Sequence, residues 1–324
     1  MFPDIPDEVQ RAADRAVLLY LCDPNVSLID IGWRIHDREN YAVEPELCVR
    51  VHLRRKLRGE GFRAFAERCP QRVVKPDLIG FTVDIPGDVI YRPHLITGFP
   101  SAFSFRPLTA TNPLCGGISI SNAATFSAGT LGGWVQDRHT QADMVLSNWH
   151  VLCCPWADWD DLPIYQPGRL DGGYAENTVA HLARHAMEQN IDAAVGALSG
   201  VRDLINKQRG IGIVTGVAIP RLGMQVIKSG RTTGVTSGII DGVGGRRIFN
   251  YGGFSHMIRE HIHIIPIPDG DQTVSSAGDS GAWWLDESTH CAVGLHFGGS
   301  DNPEYALAFS MPTVLDSLQV DIVV

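Results

Sequence analysis

Residues 276–284, S-A-G-D-S-G-A-W-W, constrain the rest of the chain more than any other stretch. Gly278 and Gly281 let the backbone turn tightly while Ser280 projects from it, and the apolar run at 282–285 has the make-up of a buried strand. In such a turn the amides of Gly278 and Ser280 can converge on one point, where they stabilise the oxyanion of a tetrahedral intermediate. A glycine-rich turn before a buried strand, with no chemistry, accounts for the same letters. The partners elsewhere in the chain decide between the two.

A serine hydroxyl is a weak nucleophile at neutral pH and needs a base, and the base needs a third group to fix its tautomer. His150 lies in L-S-N-W-H-V-L (146–152), at a polar step between two apolar runs. Asp192 opens the apolar run N-I-D-A-A-V-G-A-L (190–198), where an ionised carboxylate is costly to bury unless a cationic or hydrogen-bonding group meets it. Each alone is more often a packing or surface residue. Together they read His150, Asp192, Ser280, an order that differs from subtilisins and from α/β-hydrolases.

S-N-W-H-V-L, D-A-A-V and G-D-S-G-A resemble the trypsin-like serine peptidases, and more narrowly the bacterial ones related to the plant narrow-leaf family. Supporting stretches are G-G-I-S-I-S-N with S-A-G-T-L-G, Y-Q-P-G with D-G-G, K-S-G-R-T-T-G and V-G-L-H-F-G-G. Ala282 departs from the second glycine usual in the broad class. The resemblance implies a serine endopeptidase acting on protein or peptide substrates through His150, Asp192 and Ser280. A catalytically silent peptide-binding or scaffold protein with the same fold is the alternative.

The fold class expected is mainly β: a chymotrypsin-like double β-barrel preceded by a small α/β domain. The division is a 1–100 α/β domain, a 101–114 linker and a 115–324 peptidase domain. From Cys115 short strands alternate with glycine-rich turns, and roughly 210 residues suffice for two six-stranded barrels with the site between them. His150 and Asp192 would come from the first barrel and Ser280 from the second. Residues 201–209 read as a helix-like connection between them.

Ahead of the barrels, Asp7 is a candidate cap for a helix reaching to about Leu21. Alternating runs 29–35 and 47–53, a helix at 58–69 and a strand at 81–85 follow. The cluster Arg50, Arg54, Arg55, Lys56 and Arg58 reads as a solvated face, and His261 and His263, alternating with Ile262 and Ile264, as an outward strand face. His181 and His185 stand four apart, but 177–184 reads better as a strand than as a metal-binding helix.

The formal charge of −9 argues against a nucleic-acid or anionic-membrane partner. No apolar run reaches membrane-spanning length, and the acidic start lacks the pattern of a secretory leader, so a cytoplasmic location is expected. The seven cysteines read as reduced core residues, and no metal or cofactor is expected. A regulatory protein partner acting through the first domain is compatible with this reading.

In K-S-G-R-T-T-G (228–234) the simple reading is a hairpin with exposed charges; in the sharper one Asp279 is either solvated or met by an internal group such as Arg231, so that the oxyanion site forms without processing. The resemblance implies that 274–277 and 295–299 wall the pocket for the residue before the cleaved bond. Val274 stands where an acid would select Lys or Arg. His296 in G-L-H-F-G-G resembles the G-I-H-W-G-G of glutamyl endopeptidases, which implies a preference for Glu or Gln bound by Ser275, His296, Phe297 and Gly298.

Overall fold

The structure, a computed structural model, describes residues 2–33, 46–54, 57, 59–66, 79–83, 109–153, 160–251, 254–268, 270, 272–301 and 304–324. Helix α1 (Asp7–Tyr20) packs its stripe of Val9, Ala12, Ala13, Ala16 and Tyr20 against strands β1 (Val26–Trp33) and β2 (Leu47–Leu53). Asp7 is not the cap: Pro6 holds that position, and Asp7 and Glu8 sit in the first turn, where acids favour the helix dipole. Helix α2 (Gly59–Ala66) and strand β3 (Ile79–Val83) follow, β3 running parallel to β2. The expected strand ends at 34–35 and 84–85, the helix end at 67–69, and linker residues 101–108 lie outside the described residues.

The region of short strands begins with β4 (Leu114–Gly116), β5 (Ser119–Asn122), β6 (Gly129–Thr130), β7 (Gly133–Asp137) and β8 (Asp143–Ser147). Helix α3 (Trp149–Leu152), β9 (Pro163–Tyr165), β10 (Thr178–His185) and β11 (Ala194–Leu198) come next. The pairing order is β7-β8-β11-β10-β9-β5-β6. Leu131 and Gly132 alone separate β6 from β7, and their hydrogen bonds to Gly117, Ile118 and Leu146 join the two ends of the sheet into the first barrel. His181 and His185 lie on a strand, as expected. Residues 204–208 are not helical: β12 (Leu204–Gln208) has the alternating burial of a strand and pairs in parallel with β4.

Past β13 (Gly216–Val217) come β14 (Gln225–Gly230), β15 (Gly234–Tyr251), β16 (Phe254–Ile265), β17 (Trp283–Asp286), β18 (Cys291–Asp301) and β19 (Glu304–Ser310). They pair in the order β14-β17-β18-β19-β16-β15, and β14 also pairs with β15, so six strands close a second barrel. Helix α4 (Met311–Leu318) returns the chain to the first barrel, where β20 (Val320–Ile322) pairs with β7. The fold is thus mainly β, a chymotrypsin-like double barrel with α/β elements ahead of it.

β1 pairs antiparallel with β15, so the first elements prolong the second barrel's sheet. The sheet coils enough to bring His52 of β2 within 5.6 Å of His263 of β16, ring to ring. Two expectations fall with this. His261 and His263 are buried, because the face opposite Ile262 and Ile264 is covered too. Arg50 is buried rather than solvated, its guanidinium held by Asp30 at 2.6 Å and Asp241 at 2.6 Å. Arg54 is half-buried, and Arg55, Lys56 and Arg58 lie outside the described residues. Of the cysteines, Cys48 and Cys153 are buried and Cys22 is exposed, while Cys115 and Cys291 are half-buried; all five are free thiols. Cys69 and Cys154 lie outside the described residues.

Candidate active site

Asn148 precedes α3, and its side-chain amide donates to the Asp192 carbonyl at 2.6 Å, tying the start of the short helix to the segment before β11. The buried Asn122 side chain donates to the carbonyls of Val151 and Cys153, closing the other end of the helix. Between these ties sits His150. Its backbone amide donates to Asp192 Oδ1 at 3.0 Å, and its ring Nδ1 lies 2.5 Å from Asp192 Oδ2. An ionised carboxylate only accepts, so the hydrogen-bond network assigns the proton to Nδ1 and leaves Nε2 as the basic nitrogen. Asp192 is wholly buried and also accepts from the Tyr251 hydroxyl at 3.1 Å.

The turn carrying Ser280 is pinned from several sides. Thr130 donates its amide to the Ser280 carbonyl at 2.7 Å and its hydroxyl to the Gly278 carbonyl at 2.9 Å. Thr232 donates its hydroxyl to the Ala277 carbonyl at 2.8 Å. Gly278 has φ +100° and Gly281 φ +97°, left-handed backbone that a side chain would strain. A Cβ at Gly281 would also collide with Ser147 and the Thr130 carbonyl. The amides of Asp279, Gly281 and Ala282 all donate within the protein. Those of Gly278 and Ser280 have no partner among the described residues. Two unsatisfied donors flanking a serine are what an anionic oxygen requires.

His150 and Asp192 are brought together directly. The hydroxyl of Ser280 makes no hydrogen bond among the described residues. The two sides of the site are nonetheless neighbours: a Cβ at Gly129 would meet Val151 of α3 at 2.5 Å and the Ser280 carbonyl at 3.0 Å.

Asp279 is met by Lys228, not by Arg231. Lys228 Nζ lies 2.9 Å from Asp279 Oδ2, with both side chains fully buried. The carboxylate also accepts from the amides of Thr232, Thr233 and Ser276 and from the Thr233 hydroxyl. Burial pushes this carboxyl up, but Lys228 and the hydrogen bonds outweigh it and hold the group at about 2. Lys228 shares the inward face of β14 with Val226, whereas Arg231 stands in the turn beyond and pairs with Asp171. The exposed-hairpin reading fails for the same reason.

In the expected specificity walls, Ser275, His296 and Phe297 are all buried, and a Cβ at Gly299 would meet Ser275 Oγ at 2.9 Å, so the two walls face each other. His296 is held neutral: burial first, then the Lys228 charge, lower it to about 3. Trp284 Nε1 approaches its Nδ1 at 3.5 Å, at the long limit of a hydrogen bond.

A scan against protein-family models finds no match, and a search of curated proteins finds none either. Solved structures are similar. One is a glutamic acid specific serine protease using a histidine triad in substrate binding: 19% identity, TM-score 0.49, covering 65% of this chain and 100% of that one. Another is the Cellulomonas bogoriensis chymotrypsin, at 17% identity and TM-score 0.46 over 64% of this chain and 97% of that one. Thermobifida fusca protease A stands at 15% identity and TM-score 0.46 over 64% and 97%.

Four contributors to the site escape sequence reasoning. Lys228, Thr130 and Tyr251 lie far along the chain from the residues they hold; Lys228 and Thr130 stand in K-S-G-R-T-T-G and S-A-G-T-L-G, but nothing local names their partners. Glu304 accepts from the amides of Val274 and Ser275 at 2.7 and 3.2 Å, placing behind one pocket wall a carboxylate that comes from a later strand.

Proposed function

We propose that this chain is a trypsin-like serine endopeptidase, with Ser280 as nucleophile, His150 as general base and then acid, and Asp192 as the group that orients His150. The His150–Asp192 pair carries the reading: the buried carboxylate grips both the backbone and the ring of one histidine, leaving Nε2 as the base. Ser280 would attack the scissile carbonyl as His150 takes its proton, with the amides of Gly278 and Ser280 holding the oxyanion. His150 then protonates the leaving amine, and water repeats the sequence on the acyl-enzyme. The internal Lys228–Asp279 pair supports a turn that forms without proteolytic processing.

The same proposal takes 1–100 as an α/β unit and 115–324 as the peptidase, related to the bacterial branch of the narrow-leaf family. Selection of Glu or Gln rests on neutral His296: with Nδ1 accepting from Trp284, the proton sits on Nε2, a donor for a side-chain oxygen, and Ser275 adds a hydroxyl.

Labelling with a fluorophosphonate probe tests the mechanism. The wild type is expected to label, S280A not at all, and H150A to lose labelling and, on peptides, turnover on the order of a millionfold. A purified intact chain that refuses the probe until it is cleaved would overturn the processing-free site. Cleavage of a peptide library mainly after large apolar residues would reject the Glu/Gln preference.

A further inference from the structure

Closing the second barrel uses only the start of β15, where residues 234–239 pair with β14. The strand then runs on through 240–251. β1 flanks it at 242–246, and the final stretch pairs with the returning β16, Arg247 opposite Ile258 and Tyr251 opposite Phe254. Arg247, Phe249 and Tyr251 alternate onto one face, and all three are buried. Phe249 meets Phe297 of the pocket wall edge-on, centroids 5.4 Å apart. Arg247 lies over the Phe249 ring and donates to the Tyr305 hydroxyl at 3.2 Å. Tyr251, at the tip, stands edge-on to Trp149 at 5.9 Å and reaches Asp192. The hairpin therefore leaves its own barrel to end against the two residues that form the first half of the triad.

We propose that Tyr251 is a positioning residue: its hydroxyl fixes the rotation of the Asp192 carboxylate so that Oδ2 faces His150 Nδ1. This deepens the triad reading above and rests on it. A carboxylate can rotate about its Cβ–Cγ bond, and each oxygen of Asp192 needs an anchor other than the ring it is to orient. Oδ1 has the His150 amide, at 3.0 Å. Oδ2 has Tyr251, at 3.1 Å, besides the His150 ring. Burial, and then the neighbouring Asp192 charge, push the phenol well above its ordinary range, so it stays a protonated donor throughout the working pH. The other ionisable groups beside Tyr251 are engaged elsewhere: His256, its ring 5.8 Å away, pairs with Asn190, and Arg247 bonds Tyr305.

The test is Y251F in the full chain, which keeps the ring and its contacts and removes one hydroxyl. On a peptide substrate kcat is expected to fall about tenfold with KM within about twofold. The acid limb of the kcat/KM profile moves to higher pH, because a carboxylate that has lost a donor holds the imidazolium proton more tightly. A purely structural loss would lower activity in parallel at every pH. A second readout needs no turnover: the far-downfield proton resonance of the His150 Nδ1–H is expected to shift in Y251F. Unchanged kcat with an unmoved resonance overturns the role of Tyr251 and leaves the peptidase reading standing. A chain that neither cleaves nor labels, yet whose resonance moves, upholds the Tyr251 contact and sinks the peptidase reading instead.

Discussion

Two clusters of buried charge among the described residues are built differently. Beside the nucleophile, one cation meets one anion: Lys228 and Asp279 are both fully buried, and hydroxyl and amide donors from residues 232, 233 and 276 saturate the carboxylate. Where the first strands meet the second barrel, one guanidinium serves two carboxylates. Arg50 pairs with Asp30 and Asp241, His52 lies 3.0 Å from Asp30, and His263 lies 3.5 Å from Asp241. Burial pushes Asp30 up, yet Arg50 and His52 together hold it well below the ordinary range. The first cluster ties the Ser280 turn to β14 through one ion pair; the second staples four strands, β1, β2, β15 and β16. A local strut leaves no slack when a member is removed, whereas a staple with several members can redistribute.

The sharpest way to break this comparison is K228M. It leaves Asp279 buried without its cation, and a stability loss of roughly 3–5 kcal/mol is expected, together with loss of probe labelling as the turn relaxes. Urea denaturation and labelling, read together, would expose the idea as wrong if both stayed near wild type. R50M should cost less, about 2–3 kcal/mol, because Asp30 keeps His52 and Asp241 is 22% exposed. A loss exceeding that of K228M would invert the ranking of strut and staple.

The most gradual effect concerns acid. Each region holds a buried neutral histidine, His296 near Lys228 and His261 near Arg247, and burial, helped by those cations, lowers both to about 3. An unfolded histidine takes up its proton near about 6.5, so between that pH and about 3 the unfolded state binds more protons and stability falls on acidification. The slope is about 1.4 kcal/mol per pH unit for each histidine, joined below about pH 4 by Asp279 as it too begins to favour the protonated, unfolded state. A urea midpoint that stays flat between pH 6 and 4 would contradict this.

Much of the architecture was legible beforehand. The short strands with glycine turns read correctly as barrels, and the His150–Asp192 pairing was readable because an acid opening an apolar strand needs a specific partner. Misreadings cluster where a strand has two buried faces. Alternation in β16 identifies two faces, but it cannot say that His52 and Tyr305 will cover the one bearing His263. Residues 204–208 looked helical because nothing local announces a parallel partner at 114–116.

The sequence by itself determined the conformations that depend on near neighbours: the left-handed turns at Gly278 and Gly281, the α1 stripe, and the order His150, Asp192, Ser280. Which cation meets Asp279, which hydroxyl holds Asp192, and whether Arg50 is solvated or buried were decided only when β14, β15 and β1 came together. Backbone preference is an energy between adjacent residues and is written into the local chain. The partner of a buried charge is chosen by whichever group the packed core leaves within reach, and that is set by contacts many residues apart.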